Sequence, residues 1–314
     1  LEPNTVSKEM TAAAEPIKPA ESLRTLLEEV IDYAGLFPPS QLSMQEAVVN
    51  YAAYRSGELG WMLGRFVVPT ARLDEFLECA RDLLSGGSAF PWRLSALSGE
   101  DITATIKAVN DFNRENEGRA VIDTLEVKAT TISKIENTVA ILPEGLTAFF
   151  EIATGDEFVD LVMSLAAHKQ RAKIRTGGVT NADFPSAREI IRFVRSCMAA
   201  NVPFKATAGL HHPLRCFKPL TYAADAPRGA MHGFLNMLLM TAFARESYRP
   251  SLLEELMEDE FEEVFSFSDG GVAWRSEYFL TTAHLKLLRT RGMISFGSCS
   301  FDEPVEDLRA MGLL

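Results

Sequence analysis

A five-residue phrase occurs twice in this chain, and it narrows the choice of fold further than any bulk property does. Lys173-Ile174-Arg175-Thr176-Gly177 and Lys205-Ala206-Thr207-Ala208-Gly209 both read Lys-x-x-small-Gly. Between them Ala187, Ile190, Ile191, Phe193, Val194 and Met198 recur at helical spacing, and Asn201 ahead of Pro203 supplies a stop. Each phrase therefore reads as a short strand with a glycine-containing turn at its C-terminal end. The intervening helix is the crossover that two parallel strands require. A strand buried on both faces has little reason to carry a lysine. Here two strands carry one each in the same phase, so the ammoniums are either paired with carboxylates or used for chemistry.

The same strand-then-helix rhythm extends in both directions. Strand patterns at 62–68, 92–97, 121–130 and 147–153 alternate with helical patterns at 71–84, 101–114, 132–140 and 156–168. With the two lysine phrases they make six β-then-α units, and such an alternation implies a parallel sheet. A last strand at 293–297 follows a helix at 277–291 and brings the clear strands to seven; an eighth is read near 264–267. The expected architecture is α/β, a TIM (β/α)8 barrel, with a doubly wound open sheet as the competitor. At its start a helical extension at 21–31 runs into a segment stopped by Pro38-Pro39, and Ser43 with Glu46 forms a capping box that opens a second helix through Tyr54. After His212 the rhythm breaks into a loop at 213–230, helices at 231–245 and 251–263, and an ambiguous stretch around Asp269-Gly270-Gly271. This reads as a helical insertion over about 213–275 ahead of the last strand. The domain reading is a flexible N-terminal arm at 1–20, with Pro3, Pro16 and Pro19, followed by one barrel domain over 21–314.

Charge and cysteine usage restrict the partners. A formal net charge of −12 argues against nucleic acid, whose binding needs a basic face, and means that an anionic substrate has to be drawn in by local lysines and arginines. An apolar share of 47% with a mean hydropathy of +0.02 suits a soluble protein with a substantial core. The longest apolar run, 231–243, is interrupted by His232, Gly233 and Asn236 and is too short to cross a bilayer, so no membrane partner is expected. Cys79, Cys197, Cys216 and Cys299 lie far apart with no CxxC, which fits a reducing, cytoplasmic setting. The expected partner is a small-molecule substrate, with homo-oligomerisation left open.

In a barrel of this kind the working residues sit at the C-terminal ends of the strands, where the glycines place Lys173 and Lys205. An ammonium that is desolvated or crowded by another cation loses its proton more readily, and the free amine can attack a carbonyl to form a Schiff base. The plainer alternative is that each lysine is held by a carboxylate such as Glu151 or Asp123. Acid or base work falls to Asp123, Glu126 or Glu151, on strands expected to be neighbours. Phosphate is best held by backbone amides at glycine-rich turns, which nominates Thr176-Gly177-Gly178, Gly209 and the Gly297-Ser298-Cys299-Ser300 turn, with Arg175 or Arg215 adding charge. His211, His212 and His232 are candidates for substrate contact, or for a metal site completed by a carboxylate such as Glu151, although no HxH or HExxH spacing strengthens the latter. Cys299 is a candidate nucleophile, but it has no histidine near it in sequence, and an inert buried thiol is the plainer reading.

At these residues the chain resembles the deoxyribose-phosphate aldolase family, class I aldolases on a TIM barrel. That family writes its Schiff-base strand as Lys-x-Ser-Thr-Gly, followed one strand later by a second lysine and a small-Gly-Gly turn. Lys173 to Gly177 and Lys205 to Gly209 are similar to these, as are Ile294 to Ser300 to the family's last strand and its Gly-x-Ser-Ser phosphate turn, and Ile31-Asp32 before Leu36 to its opening Ile-Asp-His phrase. The resemblance implies Lys173 as the Schiff-base lysine, Lys205 as the neighbour that depresses its pKa, and Asp123 as the aspartate of the proton relay. Arg175 and Leu210-His211-His212 depart from the family pattern. The function this implies is a class I aldolase-like lyase acting on a small, phosphorylated or unphosphorylated, carbonyl compound, with no cofactor. Two other readings stand beside it: a metal-assisted lyase or isomerase using His211, His212 and His232, and a non-catalytic barrel serving as a binding or scaffold protein.

Overall fold

The computed structural model describes residues 18–84, 90–155 and 157–314. Of the arm read at 1–20, residues 1–17 therefore lie outside the described residues, and 18–20 carry no regular structure ahead of the first helix, Glu21–Leu27. That helix is shorter than its apolar stripe, because the chain turns at once into β1 (Ile31–Tyr33). Six further strands follow at intervals of one helix: β2 (Leu63–Pro69), β3 (Trp92–Leu97), β4 (Ala120–Lys128), β5 (Thr147–Glu151), β6 (Arg171–Arg175) and β7 (Phe204–Thr207). A two-stranded antiparallel ribbon comes next, β8 (Cys216–Pro219) with β9 (Arg228–Met231). A three-stranded antiparallel sheet is built from β10 (Phe265–Ser268), β11 (Gly271–Trp274) and β12 (Tyr278–Thr281). The last strand is β13 (Met293–Ser298).

Eight strands close into a parallel barrel in the order β1-β13-β7-β6-β5-β4-β3-β2. The fold is an α/β TIM barrel, and the open doubly wound sheet is excluded by the pairing of β1 with both β13 and β2. The eighth strand is not the one expected. The stretch near 264–267 forms β10 in the separate antiparallel sheet, and the ring is completed instead by β1, whose three residues with Asp32 in the middle are too few to display a period.

Several helices start where side chains can accept the first unpaired amides. Ser43 and Glu46 form the expected capping box of Met44–Ser56, and Ser186 with Glu189 forms another at the start of Ala187–Ala199, the crossover between the two lysine strands. Asp101 and Thr131 cap Ile102–Glu115 and Ile132–Val139. With Leu73–Leu84 and Phe158–Ala167 these helices bury their apolar faces against the barrel. Among the described residues no helix is long and apolar enough to cross a membrane.

The segment read as an insertion is built into the outer layer. Every residue from Phe234 to Phe243 in the helix Phe234–Arg245 is buried, as a helix apolar on all sides must be. It packs against Ala187–Ala199 on one side and Thr282–Arg291 on the other, so it serves as the crossover from β7 to β13. The helix Pro250–Glu258 covers its far side, and Trp274 of β11 sets its ring 6.1 Å from that of Phe243. Buried Asn236 is fully used: its amide donates to the carbonyls of Leu256 and Asp259, and its oxygen accepts from the Arg215 amide. A final helix, Asp302–Ala310, which the sequence reading did not include, follows β13 and brings Glu303 and Asp307 to the barrel mouth.

Candidate active site

Parallel pairing of β6 with β7 sets Lys173 directly opposite Lys205, and Glu151 of β5 opposite Lys173. In parallel strands in-register partners point the same way, so all three side chains face the barrel interior. Glu126 of β4 joins them and separates the two lysines. Its Oε2 is 2.6 Å from Lys173 Nζ, and its Oε1 is 2.7 Å from Lys205 Nζ and accepts a 2.7 Å hydrogen bond from Ser95. Lys173 Nζ is also 2.8 Å from Glu151 Oε2. Lys205 Nζ is 2.6 Å from Asp32 Oδ2, which Ser295 Oγ also approaches at 2.7 Å. Gly64 makes room for Asp32, since a Cβ there would fall 2.5 Å from the carboxylate. The charges thus alternate along one line: Asp32, Lys205, Glu126, Lys173, Glu151.

Desolvation makes an isolated charge at such depth prohibitive, and only opposite neighbours offset it. Burial alone would push Glu126 up, but the Lys173 and Lys205 ammoniums hold it far below the usual carboxylate range. Burial likewise favours the neutral amine of Lys173, yet Glu126 and Glu151 outweigh it and hold the ammonium above its ordinary pKa. This corrects the expected role of Lys205. It does not crowd Lys173, because a carboxylate stands between them, and Lys173 rests protonated.

Asp123 is a second correction. Where Ile122 stands opposite Leu94 and Thr124 opposite Ser95, Asp123 is the residue skipped by a shift in register. It is bound by Arg65, through bonds of 2.5 and 3.0 Å, and by Arg93 at 2.9 Å, near the N-terminal ends of β2 and β3. Those guanidiniums hold its carboxyl below its usual value against the opposing effect of burial. The strand acid in contact with the lysines is Glu126. The signal for it lay in phase: Glu126 and Lys128 are two apart, and both line the mouth.

A pocket of about 320 Å³ opens at the C-terminal ends of the strands. Lys173, Glu126 and Glu151 line it, and Lys128 and Arg175 bring exposed cationic side chains. Among the described residues neither Lys128 nor Arg175 forms a salt bridge. No residue of 213–275 lines the pocket, so that stretch does not plug it.

The glycine turns are largely spent on packing. Thr176 Oγ1 donates to the Ala208 carbonyl at 2.7 Å, and a Cβ on Gly177 would lie 2.7 Å from the Gly209 Cα. Gly209 itself takes a φ of +77°. A Cβ on Gly178 would meet Asp183 at 2.6 Å, although Gly178 and Gly209 do line the pocket. Gly297 also lines it, whereas Ser298 is buried and Ser300 Oγ accepts from the Glu303 amide to start the final helix. That turn is therefore occupied by its own structure, with a carboxylate beside it. Arg215 is turned away into ion pairs with Glu258 and Glu260.

The histidines do not meet as a set. His232 Nε2 bonds the Pro185 carbonyl at 2.7 Å, and burial lowers its pKa. His212 Nδ1 lies 2.6 Å from Asp307 Oδ2. His211 lines the pocket with Nδ1 3.9 Å from Cys299 Sγ and 3.2 Å from Glu303 Oε2. Among the described residues no three His, Cys, Asp or Glu side chains converge as metal ligands, and the expected His211, His212 and His232 donor set does not form. Cys299, in contrast, has the histidine neighbour that its sequence surroundings lacked. Neither a protein-family model nor a curated protein sequence matches the chain.

Proposed function

We propose that the chain is a lyase that makes or breaks a carbon–carbon bond beside a carbonyl, through a Schiff base on Lys173, and so resembles the class I aldolases in chemistry. The observation that carries this reading is the position of Lys173 Nζ at the pocket floor, within 2.6 and 2.8 Å of two carboxylates that line the same pocket. An incoming carbonyl displaces the Lys173 proton to Glu151, the carboxylate nearer solvent with 26% of its side chain exposed. The free amine attacks, and Glu151 returns its proton to the departing hydroxyl, so that loss of water from the carbinolamine gives an iminium beside a carboxylate once more. The iminium carries the same positive charge at the same nitrogen as the resting ammonium, so the carboxylates that raise the lysine pKa also favour the electron-accepting intermediate. Glu151 is then placed to take the hydroxyl proton as the carbon–carbon bond breaks. Lys128 and Arg175 give the mouth local positive charge in an otherwise acidic protein, which supports a small carbonyl substrate bearing an anionic group such as a phosphate.

The raised pKa of Lys173 also favours a second reading, in which the lysine stays an ammonium, polarises the substrate carbonyl, and leaves Glu151 to abstract the adjacent proton without a covalent intermediate. Borohydride reduction in the presence of acetaldehyde, dihydroxyacetone or their phosphorylated relatives, followed by intact and peptide mass measurement, separates the two. The Schiff-base reading expects a reduced adduct on Lys173 that Lys173→Ala abolishes. Turnover of a carbonyl substrate with no trapped adduct at any pH supports the non-covalent one.

A further inference from the structure

The mouth holds a second cluster of ionisable side chains that the Lys173 chemistry leaves unused. Cys299 follows β13 and is nearly covered, at 5% exposure, yet it lines the same pocket as Lys173. His211, from the loop after β7, has Nδ1 3.9 Å from its sulfur, and Glu303 of the final helix lies 3.2 Å from the same nitrogen. Tyr222, reached by the turn after β8, donates to Glu303 at 3.1 Å and lies 3.9 Å from Cys299 Sγ. Three separate segments thus converge on one sulfur, and His211 Nδ1 is shared between that sulfur and the Glu303 carboxylate. A cationic ring nitrogen beside a thiol favours its thiolate, the reactive form.

We propose that Cys299 is the reactive thiolate of this chain, paired with a His211 imidazolium that Glu303 holds in place, and that it takes aldehydes entering the pocket as hemithioacetals. In that step the sulfur–carbon bond forms as the carbonyl π pair moves to oxygen, and the oxygen takes its proton from His211. Nothing is oxidised or reduced. Electrostatics agree with the geometry. Burial works against both charges, but His211 draws the Cys299 thiol below its ordinary range, while Cys299 and Glu303 raise His211 to about 9. The other titratable groups around the sulfur are Tyr33 from β1 and Tyr222, both pushed up, with Asp302 and Glu306 on the final helix beside them. His212 lies behind His211 with ring centres 6.4 Å apart. Ser40 also favours the thiolate.

The test is alkylation of the full chain by iodoacetamide across pH, with each cysteine followed by peptide mass. The Cys299 rate should have its midpoint below the ordinary thiol value of about 8.5, corresponding to about tenfold more thiolate for each unit of displacement when the pH lies well below both midpoints. His211→Asn should raise the midpoint to that ordinary value or above it, because burial then acts on the thiol unopposed by the imidazolium. Thiolate ultraviolet absorbance of the wild type minus that of Cys299→Ser gives the same midpoint without relying on the folding of the histidine variant. Glycolaldehyde should slow Cys299 alkylation in Lys173→Ala, where no Schiff base can form on that lysine, so this arm fails or succeeds independently of the lyase reading. A Cys299 midpoint in the ordinary range that His211→Asn leaves unmoved overturns the ion pair. Absence of glycolaldehyde protection overturns the aldehyde assignment.

Discussion

Glu126 is the carboxylate on which both buried lysines depend. Replacing it by Gln leaves two ammoniums facing a neutral amide, and breaking a buried ion pair from one side costs about 3–5 kcal/mol. Denaturant unfolding of Glu126→Gln should show a loss of that order, and trapping on Lys173 should change with it. The pH dependence follows from the directions of the shifts. Because the folded-state pKa of Glu126 is depressed, its contribution is present above the unfolded value of about 4.3 and drains away as pH falls toward the folded one. Because that of Lys173 is raised, its contribution is present below the unfolded value of about 10.4 and is lost as pH rises through the folded one. Stability should therefore decline on both flanks, with the acid limb shallower in Glu126→Gln. The rate of borohydride-trappable adduct formation should climb with alkaline pH, as the protonated Lys173 gives up its proton. At this scale the lysine pair was legible because an inward lysine in a buried strand is conspicuous. The choice between Asp123 and Glu126 was not, because the register shift that skips Asp123 depends on pairing with β3.

The turn after β6 and the turn after β7 touch through glycine. With the Gly177 and Gly209 positions only 2.7–2.8 Å apart once either carries a Cβ, Gly177→Ala must displace one of the two loops. Overpacking of this kind costs about 1–3 kcal/mol. A lower melting temperature should accompany weakened alignment of Lys173 at the pocket floor, read as slower adduct formation; an unchanged variant would show that the loops have slack. The glycines were legible as strand ends, but their packing role was not, since only the barrel brings the two turns together. Among elements, the β-then-α rhythm was readable because the helices between strands carry apolar stripes and several of them a side-chain cap. Two short pieces escaped. β1 has too few residues for a pattern, and the Asp302–Ala310 helix opens with Asp302, Glu303 and Pro304 directly after a serine-rich turn, which looks like a loop in isolation.

Taken as a whole, the molecule does not separate into a barrel and an appendage. Leu253, fully buried in the Pro250–Glu258 helix, belongs to the same hydrophobic cluster as the barrel strands. Leu253→Ala should therefore cost about 2–5 kcal/mol and shift one cooperative transition seen alike by far- and near-ultraviolet circular dichroism. Two resolved transitions would show that 213–275 folds by itself. The sequence reading located this segment by the break in rhythm but gave no account of where its helices pack, because a helix apolar all round reveals burial without revealing its neighbours.

The ring is joined between its first and last strands. Asp32 on β1 meets Lys205 and Ser295, residues that leave the ribosome long after it. Until β13 arrives, β1 can pair only with β2. Before then the ring cannot be closed, and Asp32 lacks its Lys205 and Ser295 partners. Closure of the seam is thus the step at which water leaves the charged interior, and a nascent chain halted before residue 293 has no means of completing it.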